Sequence, residues 1–513
     1  MNSDSRTSKS IKNSTISLGF YFVNLIVQFF SRKIFLEYLG TEILGLNSTA
    51  TNLLQFLNLA ELGISTAVGF SLYTPLFNDD RTSIKEIIAL QGKIYKRIAC
   101  LIIIGAIILM GFFPVIFNKI ELPLWYTYAS FGVLLYSALL GYFLNYKQII
   151  LSASQQEYKI HYSFKTVNIL KSLVQMFAVW YFKDGYIWWL ALEVVFGTIG
   201  TYCLHRMTIK SFPYLKESVD SPFSTLRKKY PELTKKIGQL FFHRIGGFAL
   251  TQSSPLIIYA YSNLTLVALY GNYLIITQGV DMLSRALFNS VNAGIGNLVA
   301  EGDMAKIKRL FDELFSVRFL LVTAICVSVY ILSPAFISLW IGPKYLLGNL
   351  TLFLMVLMLY IQLFRLAAES FSYAYGLYGD IYAPIIEAIL NIGLSILGGF
   401  YYNLNGILAG AILSQIIIVV IWKPYYLFRC KLHGFGKHYV ILYLKHIALF
   451  ACVFSLFSYL TKIFNFDLSA SWMKFFFGAI TQIVTFTLLM SIFMILFKTP
   501  LVAFTKRLHN LYK

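Results

Sequence analysis

Residues 98–118 read IACLIIIGAIILMGFFPVIFN, and none of them is charged. The hydrocarbon core of a bilayer is about 30 Å thick and takes about 20 apolar residues of helix to cross. This stretch is long enough to do so. Moving outward with the same window finds further candidates near 13–36, 42–76, 124–146, 163–182, 187–205, 238–260 and 265–292, then near 316–338, 349–370, 383–400, 406–428, 441–461 and 472–497. The windows at 42–76 and 265–292 exceed what a straight crossing needs, so a tilt, a kink or an extension past the bilayer is expected there. Composition agrees: 58% of the 513 residues are hydrophobic and 13% charged, against about 45–50% and about 25% in soluble domains. A soluble core stops growing near about 250–300 residues and could not hide this excess. The sequence predicts an all-α polytopic membrane protein with about 14 transmembrane helices.

The net charge of +20 fits that plan as topology. With the N-terminus inside, the inner segments hold Arg6, Lys9 and Lys12, then Arg81, Lys85, Lys93, Lys96 and Arg97. They also hold the run from Arg206 to Lys236, the group Lys306, Lys308 and Arg309, the loop Arg429, Lys431 and Lys437, and the tail Lys498, Lys506, Arg507 and Lys513. Basic residues are retained on the cytoplasmic side, and an even number of crossings with both ends cytoplasmic satisfies this. Trp125, Trp180, Trp188, Trp189, Trp340 and Trp472 fall beside predicted outer boundaries, where indoles sit at headgroup level. Nucleic-acid binding has no soluble domain to carry it. The five cysteines stand singly, and His433 and His438 have no carboxylate or cysteine at ligand spacing, so neither a metal site nor a cofactor is expected. The opening MNSDSRTSKSIK is polar, and the apolar stretch after it outruns a signal-peptide core.

Outer loops are short, as at 118–123 and 401–406, so no catalytic domain stands outside the membrane and no enzyme is expected. The longest polar interval, 206–239, lies inside and is basic. It reads as a linker, or as a clamp on anionic headgroups. The predicted organisation is therefore a six-helix lobe over 1–205, the linker at 206–239, a second six-helix lobe over 240–430, and two peripheral helices with a cytoplasmic tail over 431–513. A weak internal echo supports two halves. LGLN at 44–47 opens a long polar-studded span that ends at Asn78-Asp79-Asp80, and Tyr270-Gly271-Asn272 opens another that ends at Glu301-Gly302-Asp303. Parallel repeats of this kind mark transporters built as two bundles.

A charge in hydrocarbon costs about 2.5–3.5 kcal/mol on the gentler insertion scales, so each one needs a partner or a wet cavity. The first half places Arg32, Glu61, Lys171 and Glu193 inside predicted spans; the second places Arg244, Asp281, Arg285, Arg365, Glu369 and Glu387 there. Asn24 and Gln28 lie one turn apart with Arg32 a turn beyond, and Asn52 and Glu61 belong to a polar run in the second span. Such stripes suit water or a hydrophilic ligand. The structural alternatives are that Arg32 and Lys171 snorkel to the interface and that Asp281/Arg285 and Arg365/Glu369, each four apart, neutralise one another. Glu61, ahead of Gly63, either packs at a kink or binds a coupling ion. The basic set Arg32, Arg244, Arg285 and Arg365 favours an anionic cargo, since arginine's fork matches phosphate oxygens bidentately.

On the stretch SRKIFLEYLGTEILGLNSTATNLLQFLNLAELGISTAVGFSLY and its second-half counterpart YGNYLIITQGVDMLSRALFNSVNAGIGNLVAEGD, the chain resembles the Wzx-type polysaccharide flippases. These belong to a superfamily that also contains multidrug exporters and the lipid II flippase. The resemblance implies two six-span lobes around a cationic central cavity, alternating access, and an undecaprenyl-pyrophosphate-linked oligosaccharide as cargo. That cargo would move from the cytoplasmic to the outer leaflet of a bacterial inner membrane during surface polysaccharide synthesis, with a polysaccharide polymerase and other assembly proteins as partners besides membrane lipids. Arg32, Arg244 and Arg285 are the positions that could match the family's cavity arginines, and Glu61, Asp281 or Glu369 could couple an ion. The alternative is a cation-coupled small-molecule or multidrug antiporter of the same superfamily.

Overall fold

The structure, a computed structural model, describes residues 6–61, 63–217, 219–289, 291–377, 380, 382–464 and 467–511. Of residues 6–11, 60, 239, 242–252, 286, 289, 293, 464 and 508–511 it describes the backbone alone. Among the described residues all regular structure is helical, and ten helical runs are long and apolar enough to cross a membrane. The longest of them, Tyr382–Cys430, is two crossings joined end to end. The segments at 40–77, 166–181 and 231–261 occupy the three remaining predicted windows. The fold is thus compatible with fourteen crossings.

The chain forms two compact units, Met1–Ala268 and Leu269–Lys513. In the first, α1 (Arg6–Tyr38), α2 (Gly40–Leu57), α3 (Ile64–Phe77), α4 (Arg81–Gly111), α5 (Leu124–Phe143), α6 (Thr166–Tyr181), α7 (Gly185–Ser211) and α8 (Pro231–Tyr261) pack together. The helix α4 shows how these sequences sort themselves. Ala99, Ile102 and Ala106 are buried, while Leu101, Ile104, Ile107 and Ile108 are exposed. A helix apolar on every side presents one stripe to its neighbours and another to lipid. The units divide at Ala268/Leu269 and not in the 206–239 interval, because α8 packs against α2 and α3.

That interval is itself structured. Leu215, Leu226 and Leu233 are fully buried in one apolar cluster with Ile84, Ile87 and Ile88 of α4. Lys85 bonds Glu217 at 2.6 Å, Lys93 donates to the carbonyl of Ser221, the Arg97 guanidinium lies 3.6 Å over the Phe223 ring, and Lys229 pairs with Glu86 at 2.7 Å. The interval is a strap bound along the start of α4.

The second unit contains α9 (Leu264–Asn289, from Leu269 on), α10 (Asn292–Glu301), α11 (Met304–Trp340), α12 (Asn349–Phe364), α13 (Leu366–Ala374), α14 (Tyr382–Gln415), α15 (Lys423–Cys430), α16 (Gly436–Phe464), α17 (Trp472–Leu496) and α18 (Leu501–Leu511). The sequence echo has a physical basis here. Asp80 accepts from the Ser83 N–H at 3.0 Å and caps α4, and Asp303 accepts from Ala305 and Lys306 and caps α11. Each acid satisfies amides that a helix start leaves open; bonds from the Ser83 hydroxyl and N–H hold the Asp80 carboxyl, and bonds from Lys306 and Ala305 the Asp303 carboxyl, below the ordinary pKa.

Within α14 the backbone leaves helical geometry at Tyr402 and Asn403 (φ 49°) and turns back on itself. Gly398 then faces Gly406, Gly410 faces Leu394, Asn391 reaches Ser414, and the Ser395 hydroxyl donates to the carbonyl of Ile407 at 3.1 Å. A side-chain carbon added at Gly410 would fall against the Leu394 carbonyl, well inside contact distance. Small residues allow such backbone approach in membranes. Gly410→Val is expected to lower stability by at least the about 1–3 kcal/mol typical of overpacking, read as an earlier melting transition in detergent; an unchanged transition would show that the hairpin is looser than described.

Candidate functional site

The long second window breaks where its surplus length and its glycine predicted a kink. The helix α2 ends in one tight turn, Asn58–Glu61, and Gly63 takes φ +90° before α3 begins. A β-carbon at Gly63 would also lie 2.7 Å from Cβ of Leu240 on α8, so the bend and the close approach both require glycine. The bend turns the Glu61 carboxylate toward α4 and α5. Tyr95 donates to its Oε1 at 2.9 Å and Tyr142 to its Oε2 at 2.9 Å. Tyr142 is also 3.1 Å from Asn58 Oδ1, and Ser65 meets the Tyr95 hydroxyl at 2.7 Å. Beside this group lies a cavity of about 460 Å³, lined also by Gln91, Ser137, Asn145 and Tyr146. Among the described residues three buried polar atoms of wall residues, Gln91 Oε1, Asn145 Oδ1 and Ser137 Oγ, have no hydrogen-bond partner.

Three further polar residues of α2 do two different tasks. Asn47 Oδ1 accepts from Ser130 at 2.6 Å and from Tyr186 at 2.9 Å, tying three helices together. Asn52 and Thr51 instead donate to carbonyls four residues back on their own helix. On α1, Asn24 and Gln28 are exposed; Arg32 is half-buried and its Nη2 donates to the carbonyl of Ala268 at 3.0 Å. Lys171 does not snorkel to the interface. Its ammonium binds Glu193 at 2.6 Å across α6 and α7, where Gln175 supports the same carboxylate at 3.0 Å.

In the second unit both four-residue pairs close within their own segment. Arg285 uses Nε alone, 2.9 and 2.8 Å from the two oxygens of Asp281, so among the described residues its two terminal amino groups carry no hydrogen bond. Arg365 uses Nε and Nη2 on one oxygen of Glu369, at 2.8 and 2.6 Å. Arg244 lies on α8, and its side chain is outside the described residues. The sequence reading missed Arg318. It is a charge within the predicted window 316–338, 2% exposed, donating through Nη2 to Ser370 at 2.9 Å while Nη1 has no hydrogen-bond partner among the described residues. The tyrosines around Glu61 gave no signal, since 35 tyrosines offer no reason to choose two.

No protein-family profile and no curated protein matches the chain. Solved structures do. The lipid II flippase MurJ, in an inward closed conformation, superposes with a TM-score of 0.67 at 14% identity, over 94% of this chain and 98% of that one. An inward-facing multidrug resistance MATE family transporter of the MOP superfamily superposes with a TM-score of 0.55 at 12% identity, over 79% of this chain and 94% of that one. The fold is like that of these two proteins. Its combination of crossings makes the chain a multi-pass membrane protein, and at this identity the likeness speaks for architecture rather than cargo.

Proposed function

We propose that the protein is a flippase that moves an undecaprenyl-pyrophosphate-linked oligosaccharide from the cytoplasmic to the outer leaflet by alternating access, during surface polysaccharide synthesis in a bacterial inner membrane. The observation that carries this reading is the superposition on a lipid II flippase along nearly the whole of both chains. The MATE transporter superposes over 79% of this chain, against 94% for the flippase. In this reading both termini are cytoplasmic, the pyrophosphate is taken by Arg32, Arg244, Arg285 and Arg365, and the glycan meets the tyrosines and amides near them.

Arg285 suits the role best. Its tether to Asp281 through Nε fixes the plane of the guanidinium and leaves the terminal fork for two phosphate oxygens. Arg365 has less to offer until Glu369 lets go. Outward transfer is favoured without a nucleotide: each negative charge leaving an inside-negative cell gains about 2.3 kcal/mol per 100 mV, and the sequence has no GxxxxGK[ST] phosphate loop. Export of surface glycan from a host lacking its own flippase is the test. Arg244→Ala and Arg285→Ala are expected to stop export while the protein remains folded in the membrane. Unchanged export by both variants would overturn the assignment of those arginines.

A further inference from the structure

The basic residues around the strap at 206–239 serve two different ends. One set fastens it. Lys85 bonds Glu217, Lys93 donates to the carbonyl of Ser221, and Lys147 donates to the carbonyl of Leu215 at 2.8 Å. Lys159 donates to the Ser211 hydroxyl at 2.8 Å, and Lys229 of the strap pairs with Glu86. With the buried Leu215, Leu226 and Leu233, these bonds hold the segment against the first unit. The other set is left on the outside. Arg206, Lys210, Lys216, Arg227, Lys228 and Lys235 are all exposed, against two exposed acids that take no part in the fastening, Asp220 and Glu232. Any basic loop would keep positive charge on one side of the membrane; this one is folded into a fixed place.

Depth decides what those outer cations meet. The headgroup layer adds about 5–8 Å on each side of the hydrocarbon. Helix α7 continues to Ser211, so Arg206 and Lys210 lie about 2 and about 8 Å beyond the crossing predicted to end at 205. Helix α8 starts at Pro231, which puts Lys235 about 5 Å short of the crossing predicted from 238. Between them, the guanidinium of Arg97, one residue outside the crossing predicted from 98, lies over the Phe223 ring. Arg227 and Lys228 follow in the short helix Phe223–Lys229. Clusters of about four to eight basic residues directly beside a crossing attract anionic lipids. We infer that the outer face of the strap is a docking surface for anionic phospholipid headgroups of the adjacent leaflet, with Arg206, Lys210, Arg227, Lys228 and Lys235 meeting their phosphates. A strap already folded presents these charges with little further ordering to be done on contact. The inference concerns a surface of the first unit and not the path of the cargo, so it is independent of the flippase reading.

The test follows hydrogen–deuterium exchange of the full-length protein in nanodiscs of phosphatidylcholine alone and of an equal mixture with phosphatidylglycerol. The amides of 223–237 are expected to exchange at least about fivefold more slowly in the mixture, the factor that one basic residue at an anionic surface supplies. Changing Arg206, Lys210, Arg227, Lys228 and Lys235 together to glutamine is expected to abolish the slowing. Arg227→Gln with Lys228→Gln, a milder pair at exposed positions, is expected to lose part of it. The same change at five exposed basic residues of the second unit, Lys306, Arg309, Arg429, Lys431 and Lys437, is expected to leave it intact. Inorganic phosphate added to phosphatidylcholine nanodiscs is expected to have no effect, which separates a headgroup from the free ion. Melting curves confirm that each variant is folded. Four results would each overturn the proposal: equal exchange in the two lipid compositions, which would leave the strap to an acidic protein partner; slowing by inorganic phosphate alone; slowing that survives in the strap variants; or an equal loss in the second-unit variant, which would mean a general effect of surface charge.

Discussion

Replacing Lys171 with methionine is expected to destabilise the protein by about 3–5 kcal/mol, the cost of stranding a buried charge by removing its partner. The ammonium and the Glu193 carboxylate are 2.6 Å apart, with their side chains 16% and 12% exposed. The pair bridges α6 and α7, and Gln175 completes the shell around the carboxylate. The size of the effect arises from what remains behind. Glu193 would keep one amide donor and no cation. Removing both charges should therefore undo the damage: Lys171→Met with Glu193→Leu is expected to recover most of the stability, since an apolar pair of similar volume often replaces a buried ion pair without loss. Melting of the purified variants in detergent decides it. A single variant as stable as the parent would show that Glu193 is compensated by some group other than Lys171.

Arginine 285 carries the second large effect. Its guanidinium is held by Asp281 through Nε, so under the proposed flippase function alanine removes two charge-assisted bonds to a phosphate. Such bonds contribute about 1.5–3 kcal/mol each, which places the expected loss of substrate affinity at about a hundredfold or more. Two companion variants separate binding from folding. Arg285→Lys preserves the charge but not the planar fork and is expected to fall between alanine and the parent. Arg285→Ala combined with Asp281→Asn leaves no stranded acid and is expected to transport as poorly as the single alanine variant. Recovery of transport in that double variant would mean that Asp281, not the cargo, had needed the arginine.

The parts of this architecture that depend on local chemistry were readable before any coordinates. Uncharged runs of about 20 residues mark the crossings. The surplus length of 42–76 and Gly63 marked the break that positions Glu61, and the acids of the two halves at Asp80 and Asp303 proved to be matching helix caps. What remained hidden depends on which helices meet. Glu61 is 34 residues from Tyr95 and 81 from Tyr142, and no spacing rule joins residues so far apart. Lys171, read as a snorkelling side chain, finds Glu193 only because α6 and α7 pack side by side. The interval 206–239 looked like a loose joint because its polar residues are conspicuous; its three leucines, buried against α4, are what fix it in place.

The central claim is that the cargo is an anionic glycolipid. Reconstituting the purified protein in liposomes that carry an undecaprenyl-pyrophosphate oligosaccharide, and following its arrival in the opposite leaflet with a membrane-impermeant glycan-modifying enzyme, tests that claim directly. The account expects protein-dependent transfer that quickens when the receiving side is made electrically positive, and that is lost in Arg285→Ala. Absence of transfer at any potential, together with uptake of a small organic cation driven by a proton or sodium gradient, would contradict it and identify an antiporter instead.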